Sequence, residues 1–370
     1  MTPPRLLLMV NSLQRAGSER NVVAICKHID RSRFRPEVWT LAEGGEFVQA
    51  IRDADVPIRC LHRKRAYGPM FAARAARMIA ESGADIMHAF SPAIMFYAAV
   101  SRAWFNAKQP LIFTEATTTG RPSMRLLHRY RLRHCTAFTA NSEASRDYLA
   151  AQGVPRERIR VIPNGHVIDR TRSLLDTAAV RAGIGVRPDE LLAIYVGRLI
   201  ETKRVCDLVD AVAQLNGANR CLRVVVVGDG AKRAVLQEQV AAAGLNDVVQ
   251  FLGERADVAD LLRSSDLFVF PSEVEGLSNA VIEAALAGLP IVGCDVGGVR
   301  DIVENNREAL LVPPRNPRDF AAAMRRLIDN RDEARKFGEA ARARAEQSYS
   351  IDNTLEKLYE LYDESLRGNC

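Results

Sequence analysis

The chain has 370 residues, of which 48% are hydrophobic, 26% charged and 6% aromatic; this globular composition excludes a disordered, collagenous or disulfide-rich class, and the length suits two domains with separate cores. Lysine and arginine exceed aspartate and glutamate by six overall, but the balance is +13 over residues 1–175 and −7 over residues 176–370. Such asymmetry points the first half toward an anionic partner: nucleic acid, a membrane surface or a phosphorylated substrate.

No apolar run approaches the roughly 20 residues of a membrane-spanning helix, and Leu6–Val10 is too short for the core of a signal peptide. The expectation is a cytoplasmic protein. Seven cysteines lie far apart with no C-x-x-C pair, so spacing indicates neither a zinc cluster nor a disulfide framework.

Strand-like apolar runs recur at Leu6–Val10, Glu37–Leu41, Ile58–Leu61, Asp85–His88, Leu111–Thr114, Ala137–Ala140 and Arg160–Ile162. A second series follows at Leu191–Val196, Leu222–Val227, Val248–Phe251, Leu267–Phe270, Pro290–Gly293 and Ala309–Val312. Helical patterns such as Val205–Leu215 and Ala231–Ala243 lie between runs, which predicts parallel sheets with crossover helices. Val225–Val227 reads as a strand buried on both faces. Periodicity weakens around Asn164–Pro188, so the chain divides into domains of residues 1–170 and 171–349. Both are of the doubly wound α/β class, and such domains bind ligands at the carboxyl ends of their strands, here in a cleft between the two. Tyr349–Leu366 reads as a late amphipathic helix with Leu355, Leu358, Leu361 and Tyr362 on one face.

The densest chemical signal is the loop Phe270–Asn279 with the helix that follows, starting near Leu277–Ser278. Pro271, Gly276 and Ser278 shape a turn whose free N–H groups, with Leu277 and Asn279, can cradle a diphosphate at a helix N-terminus. Glu275 falls in the loop and Glu283 two turns into the helix. A carboxylate at Glu283 suits the paired hydroxyls of a ribose; otherwise the two are a helix-dipole acid and a surface glutamate. Asp53-Ala-Asp55 has the form of a metal-binding D-x-D, but its place between a helix and Val56-Pro57 predicts a polar turn. No metal is assigned.

Phe270–Gly288 resembles the E-x7-E signature of the retaining glycosyltransferases of family 4, which have the GT-B fold. Further matches run in order: Ala16-Gly-Ser-Glu19, His88-Ala-Phe, Asn141-Ser-Glu, Val161-Ile-Pro-Asn-Gly165, Val196-Gly-Arg-Leu199 with Lys203, Val227-Gly-Asp-Gly230, Phe251-Leu-Gly253 and Asp295-Val-Gly-Gly298. The resemblance implies two Rossmann-like domains, with a C-terminal helix at about 350–370 returning to the first. It implies a nucleotide diphosphate sugar, of UDP or GDP type, held mainly by the second domain, with no other cofactor.

In that reading Arg198, Lys203, Glu275 and His88 are the catalytic candidates. Gly17, Arg198, Lys203, Gly276, Leu277, Ser278, Asn279 and Glu283 bind the donor. Arg198 offers fork-shaped contacts and Lys203 a point charge to the diphosphate. Glu275 contacts the sugar or diphosphate end without acting as nucleophile, since same-face attack by the acceptor is the usual proposal for the family. Glu115 and Glu19 fall on the acceptor side, where Glu19 is either a first-turn helix acid or a ligand. His88, at a strand end, is either structural or catalytic. The chain departs from the family at Ala16, where a paired glycine is usual, and at Ala116, where a histidine is common.

The basic segment Arg121–His134, with Arg121, Arg125, Arg129, Arg131 and Arg133 among apolar residues, suits an anionic membrane surface or a solvated helix face. It lacks interleaved aromatics, which disfavours nucleic acid. The expected acceptor is a glycan or a lipid-linked molecule at the inner membrane face, in cell-envelope or exopolysaccharide synthesis. A GT-B sugar-nucleotide epimerase and a non-catalytic membrane-associated scaffold with a vestigial site are the alternatives. A Rossmann oxidoreductase is disfavoured, because no strand is followed by a Gly-x-Gly-x-x-Gly fingerprint.

Overall fold

Each apolar run of the sequence forms a strand, with boundaries that agree within two residues. The computed structural model describes residues 2–14, 17–62, 69–116, 132–168, 176–216 and 221–368. In chain order the strands are β1 Arg5–Val10, β2 Arg35–Thr40, β3 Ile58–Cys60, β4 Ile86–Ala89, β5 Leu111–Glu115, β6 Ala137–Ala140, β7 Ile159–Val161, β8 Leu191–Val196, β9 Leu222–Val227, β10 Val249–Gly253, β11 Leu267–Phe270, β12 Ile291–Cys294 and β13 Ala309–Val312. They make two parallel sheets, ordered β3-β2-β1-β4-β5-β6-β7 and β10-β9-β8-β11-β12-β13. Both are doubly wound sheets in which strand order reverses beside the first strand, the Rossmann-like arrangement.

The chain divides into one unit of Met1–Val167 with Tyr349–Cys370 and another of Ile168–Ser348. In the first unit, strand alternation sorts side chains onto two faces. Leu6, Leu8 and Val10 pack with Val22 and Ile25 on one face, and Leu7 and Met9 with Trp39 and Met87 on the other.

The helix Ile351–Arg367 belongs to the first of these faces. Ser350 caps it by accepting a hydrogen bond from the Asn353 N–H at 3.2 Å, and Gly368 ends it in the left-handed conformation. Its Leu355, Leu358, Leu361 and Tyr362 are buried beside β1. The Asp53–Asp55 stretch closes the helix Val48–Asp53 in a turn, with Asp55 at φ +52°.

In the second unit the helix Arg331–Ser348 packs on the helix Asn279–Leu286. Close approach requires the absence of a side chain at one point: a Cβ on Gly338 would sit 2.1 Å from the Gly288 carbonyl oxygen. Gly338→Ala is therefore expected to destabilise the second unit by about 1–3 kcal/mol through overpacking. Denaturant unfolding against the parent protein measures the loss.

Candidate active site

β8 and β11 are neighbours at the reversal point of the second sheet, so the loops that leave their carboxyl ends start side by side. After β8 the chain runs Gly197-Arg198-Leu199, and it is stitched to the loop after β9. The Gly197 N–H donates to the Val227 carbonyl at 3.0 Å, Leu199 N–H to Asp229 at 2.9 Å, and Lys232 N–H to Leu199 at 2.9 Å. A short helical turn, Glu201–Lys203, follows. It is tied to the loop after β11, where the Thr202 carbonyl accepts from the Glu273 N–H at 3.0 Å and from the Ser272 hydroxyl at 3.2 Å.

These ties bring Lys203 and Glu275 into a direct ion pair, with 15% and 8% of the side chains exposed. The Lys203 ammonium also lies 5.4 Å from the centre of the Phe270 ring, a position that the ring's negative face favours. Beneath the pair, Tyr195 stacks on Phe270 at 6.0 Å and donates its hydroxyl to the Arg198 carbonyl at 3.2 Å. Burial and the nearby Glu275 carboxylate push the Tyr195 hydroxyl well above the ordinary phenol range, while Arg198 acts in the opposite sense. This tyrosine is therefore a fixed neutral donor. Arg198 is exposed and has no carboxylate partner among the described residues.

The loop reaches its helix through Gly276, Leu277 and Ser278. A Cβ on Gly298 would meet the Gly276 carbonyl oxygen at 2.5 Å, so the glycine of Asp295-Val-Gly-Gly298 lets the loop lie flat. Ser278 is the N-cap, its hydroxyl accepting from the Val281 N–H at 3.4 Å, and the helix begins at Asn279. Glu283, half-buried, therefore lies just over one turn into the helix, not two, because the serine cap delays the start. The first turn carries no acidic side chain, which leaves the positive end of the helix dipole to an incoming anion.

In the first unit, Gly17 opens the helix Gly17–His28 and Glu19 sits in its first turn, where burial raises its carboxyl pKa. Glu115 is the buried last residue of β5, and its carboxylate accepts from the Ala116 N–H at 3.1 Å. His88 is fully buried in β4. One ring nitrogen lies 2.7 Å from the Tyr362 hydroxyl and the other 2.6 Å from the Thr114 hydroxyl, which continues to Thr139 at 2.6 Å. Both of its nitrogens are thus engaged within the core. Burial lowers its pKa to about 3, so the ring is neutral. Arg133 is exposed, whereas Arg121, Arg125, Arg129 and Arg131 lie outside the described residues, as does Ala16.

The structure thus gathers Arg198, Lys203, Glu275 and the Gly276–Asn279 turn with its helix, and places Gly17, Glu19, His88, Glu115 and Arg133 in the other unit. Sequence reading missed Tyr195, whose hydroxyl is invisible in the alternation of a buried strand, and Ser272 and Thr202, which join the two loops.

Two family models match consecutive stretches: Glycosyltransferase Family 4 over residues 15–170 and Glycosyl transferases group 1 over residues 176–344. The D-inositol 3-phosphate glycosyltransferase of Nocardia farcinica is 34% identical over 234 residues, 61% of this chain and 51% of that protein. The N-acetyl-alpha-D-glucosaminyl L-malate synthase of Bacillus anthracis is 25% identical over 82% of this chain and 81% of its own. The chain spans about half the length of the first curated relatives it matches. Among solved structures, Anabaena HepE in complex with UDP has a TM-score of 0.86 at 23% identity, covering 98% of this chain and 100% of that one. A glycosyltransferase from Rickettsia africae reaches 0.88 at 20% identity, covering 99% and 100%.

His88 makes stability depend on pH. Its folded pKa of about 3 lies below the ordinary histidine value of 6.5, so the unfolded chain binds the proton first as pH falls. The first unit is then fully stabilised above about pH 6.5 and loses up to about 1.4 kcal/mol per pH unit below it. Urea unfolding between pH 7 and 4 should show a flatter dependence for His88→Gln than for the parent.

Proposed function

The chain belongs to the GT-B glycosyltransferases of family 4, and from that premise we propose that it moves a sugar from a nucleoside diphosphate sugar to an acceptor hydroxyl with retention of configuration. The observation that carries this reading is the Lys203–Glu275 pair at the end of β11, beside the N-terminus of the helix Asn279–Leu286. A diphosphate entering there meets a lysine, the exposed Arg198 and the positive helix end. These groups stabilise the charge that grows as the bond between the anomeric carbon and the β-phosphate oxygen breaks. The acceptor hydroxyl forms its bond on the face the diphosphate leaves, and its proton passes to the departing phosphate oxygen. Glu283 holds the ribose, and Glu275, released as Lys203 turns to the diphosphate, faces the sugar.

A UDP sugar is the donor we favour over a GDP sugar, on the strength of HepE, solved with UDP and with UDP-glucose. The acceptor side of the reading is an anionic or lipid-linked glycan at the inner membrane face, made for the cell envelope or an exopolysaccharide. It is supported by the +13 balance of residues 1–175 and by the exposed Arg133 and Trp104 of the first unit. A sugar-nucleotide epimerase is not favoured, since the matched relatives are named as transferases.

A thermal-shift screen of UDP, GDP and their sugars is expected to show stabilisation by UDP compounds, reaching about 2.7 kcal/mol at a hundred times the dissociation constant. Lys203→Ala and Glu283→Ala should each weaken UDP binding roughly tenfold or more, about 1.4 kcal/mol. Unchanged donor binding and sugar transfer in both variants would remove the site assignment.

A further inference from the structure

β3 is the edge strand of the first sheet, and its end carries a second chemical constellation. Cys60 closes β3, His62 follows two residues later, and Glu43 lies in the turn after β2. The Cys60 sulfur, a His62 ring nitrogen and a Glu43 carboxylate oxygen all fall within 4.8 Å of one another. His62 Nδ1 is 2.8 Å from the Glu43 Oε1. The His62 backbone N–H donates to the Cys60 sulfur at 3.2 Å, and the thiol in turn reaches the Leu41 carbonyl at 3.8 Å.

His62 takes up the left-handed region at φ +54°, uncommon for a residue with a side chain, and this turn aims the ring back at Glu43. The glutamate turn is itself fixed: the Leu41 and Ala42 N–H groups each donate to the Asn11 carbonyl at 3.0 Å, and Leu13 N–H reaches the Gly44 carbonyl at 3.4 Å. Glu43 and His62 are exposed and Cys60 half-buried, so an ion can enter from solvent.

A thiolate, an imidazole and a carboxylate are a donor set that zinc accepts, with bonds of about 2.0–2.3 Å. The thiolate and the carboxylate together balance a divalent charge. We propose that Glu43, Cys60 and His62 bind one divalent transition-metal ion, zinc foremost, with water in the fourth position. On binding, the Cys60 thiol releases its proton to solvent. The His62 ring proton moves from Nδ1 to Nε2, which frees the Nδ1 lone pair for the metal, and Glu43 replaces its hydrogen bond by a metal–oxygen bond. The ion then clips the end of β3 to the turn after β2, and through that turn to the Asn11–Leu13 loop that leaves β1. The site lies in the first unit, the donor residues belong to the second, and the proposal does not depend on the proposed sugar transfer. Linear spacing hides it, because Glu43 is supplied by a different strand connection from Cys60 and His62.

The test is titration of the reduced, chelator-stripped protein with Co2+, whose thiolate charge-transfer absorption reports a sulfur ligand, followed by Zn2+. One equivalent of Co2+ should develop the absorption and one equivalent of Zn2+ should bleach it. Cys60→Ser should abolish it. His62→Asn, which tolerates the left-handed backbone, and Glu43→Gln should each weaken Zn2+ binding at least tenfold while leaving the metal-free melting curve unchanged. The proposal is overturned if the parent protein shows no absorption, or if Cys60→Ser retains it, which would point to another thiol such as the exposed Cys221. It is equally overturned if His62→Asn and Glu43→Gln both bind as the parent does, the behaviour of an isolated surface thiol.

Discussion

A strand covered by helices on both faces admits a polar side chain only where a neighbour satisfies it, as the His88, Thr114 and Thr139 chain does, and that constraint organises both units of this protein. β1 and β8 are apolar almost throughout, so residues able to do chemistry are displaced to the points where the strands end. Reversal of strand order beside each of these strands keeps two such ends free of a covering crossover. In the second unit this gathers Arg198, Lys203 and Glu275 from segments more than seventy positions apart in the chain. The apolar interior and the polar loops are thus two results of one burial requirement.

Charge matching around these loops is uneven. Arg204 forks onto the buried Asp207 at 2.6 and 3.0 Å, and Arg315 onto Glu273 at 2.6 and 3.3 Å. Those pairs settle charges that would otherwise surround the site. Lys203 and Glu275 are paired too, but across the mouth of a helix that lacks its own acidic first turn. Removing one partner of a pair this sheltered leaves the other charge without compensation. In the proposed reaction the diphosphate takes over the lysine, and the hydroxyl-rich sugar is what Glu275 is left to bind.

The sequence made the strands legible because each is a short apolar run with turn residues at both ends, and one sheet differs from the other only in how many runs it holds. The loop from Phe270 to Asn279 was legible from composition: clustered proline, glycine and serine favour a turn over a strand and readily precede a helix. Side-chain partnerships were not. Lys203 and Glu275 are both polar residues after strands, and nothing linear marks them as mutual partners. His88 reads as a strand-end histidine, yet the Tyr362 and Thr114 hydroxyls take up its two nitrogens, one of them from a helix 274 positions later. The start of the helix bearing Glu283 shifted because a serine hydroxyl accepting one N–H decides where helical geometry begins, a contact finer than any periodicity.

The helix Ile351–Arg367 completes the apolar face built by β1, β2 and the helix Gly17–His28, although the whole second unit intervenes in the chain. On a ribosome moving at about 5–20 residues per second, roughly 180 residues separate the two parts of that core, a wait of about 10–40 s. The second unit is synthesised during this interval, while Leu6, Leu8, Val22 and their neighbours still lack their cover. The core that is begun first is therefore the last to be completed.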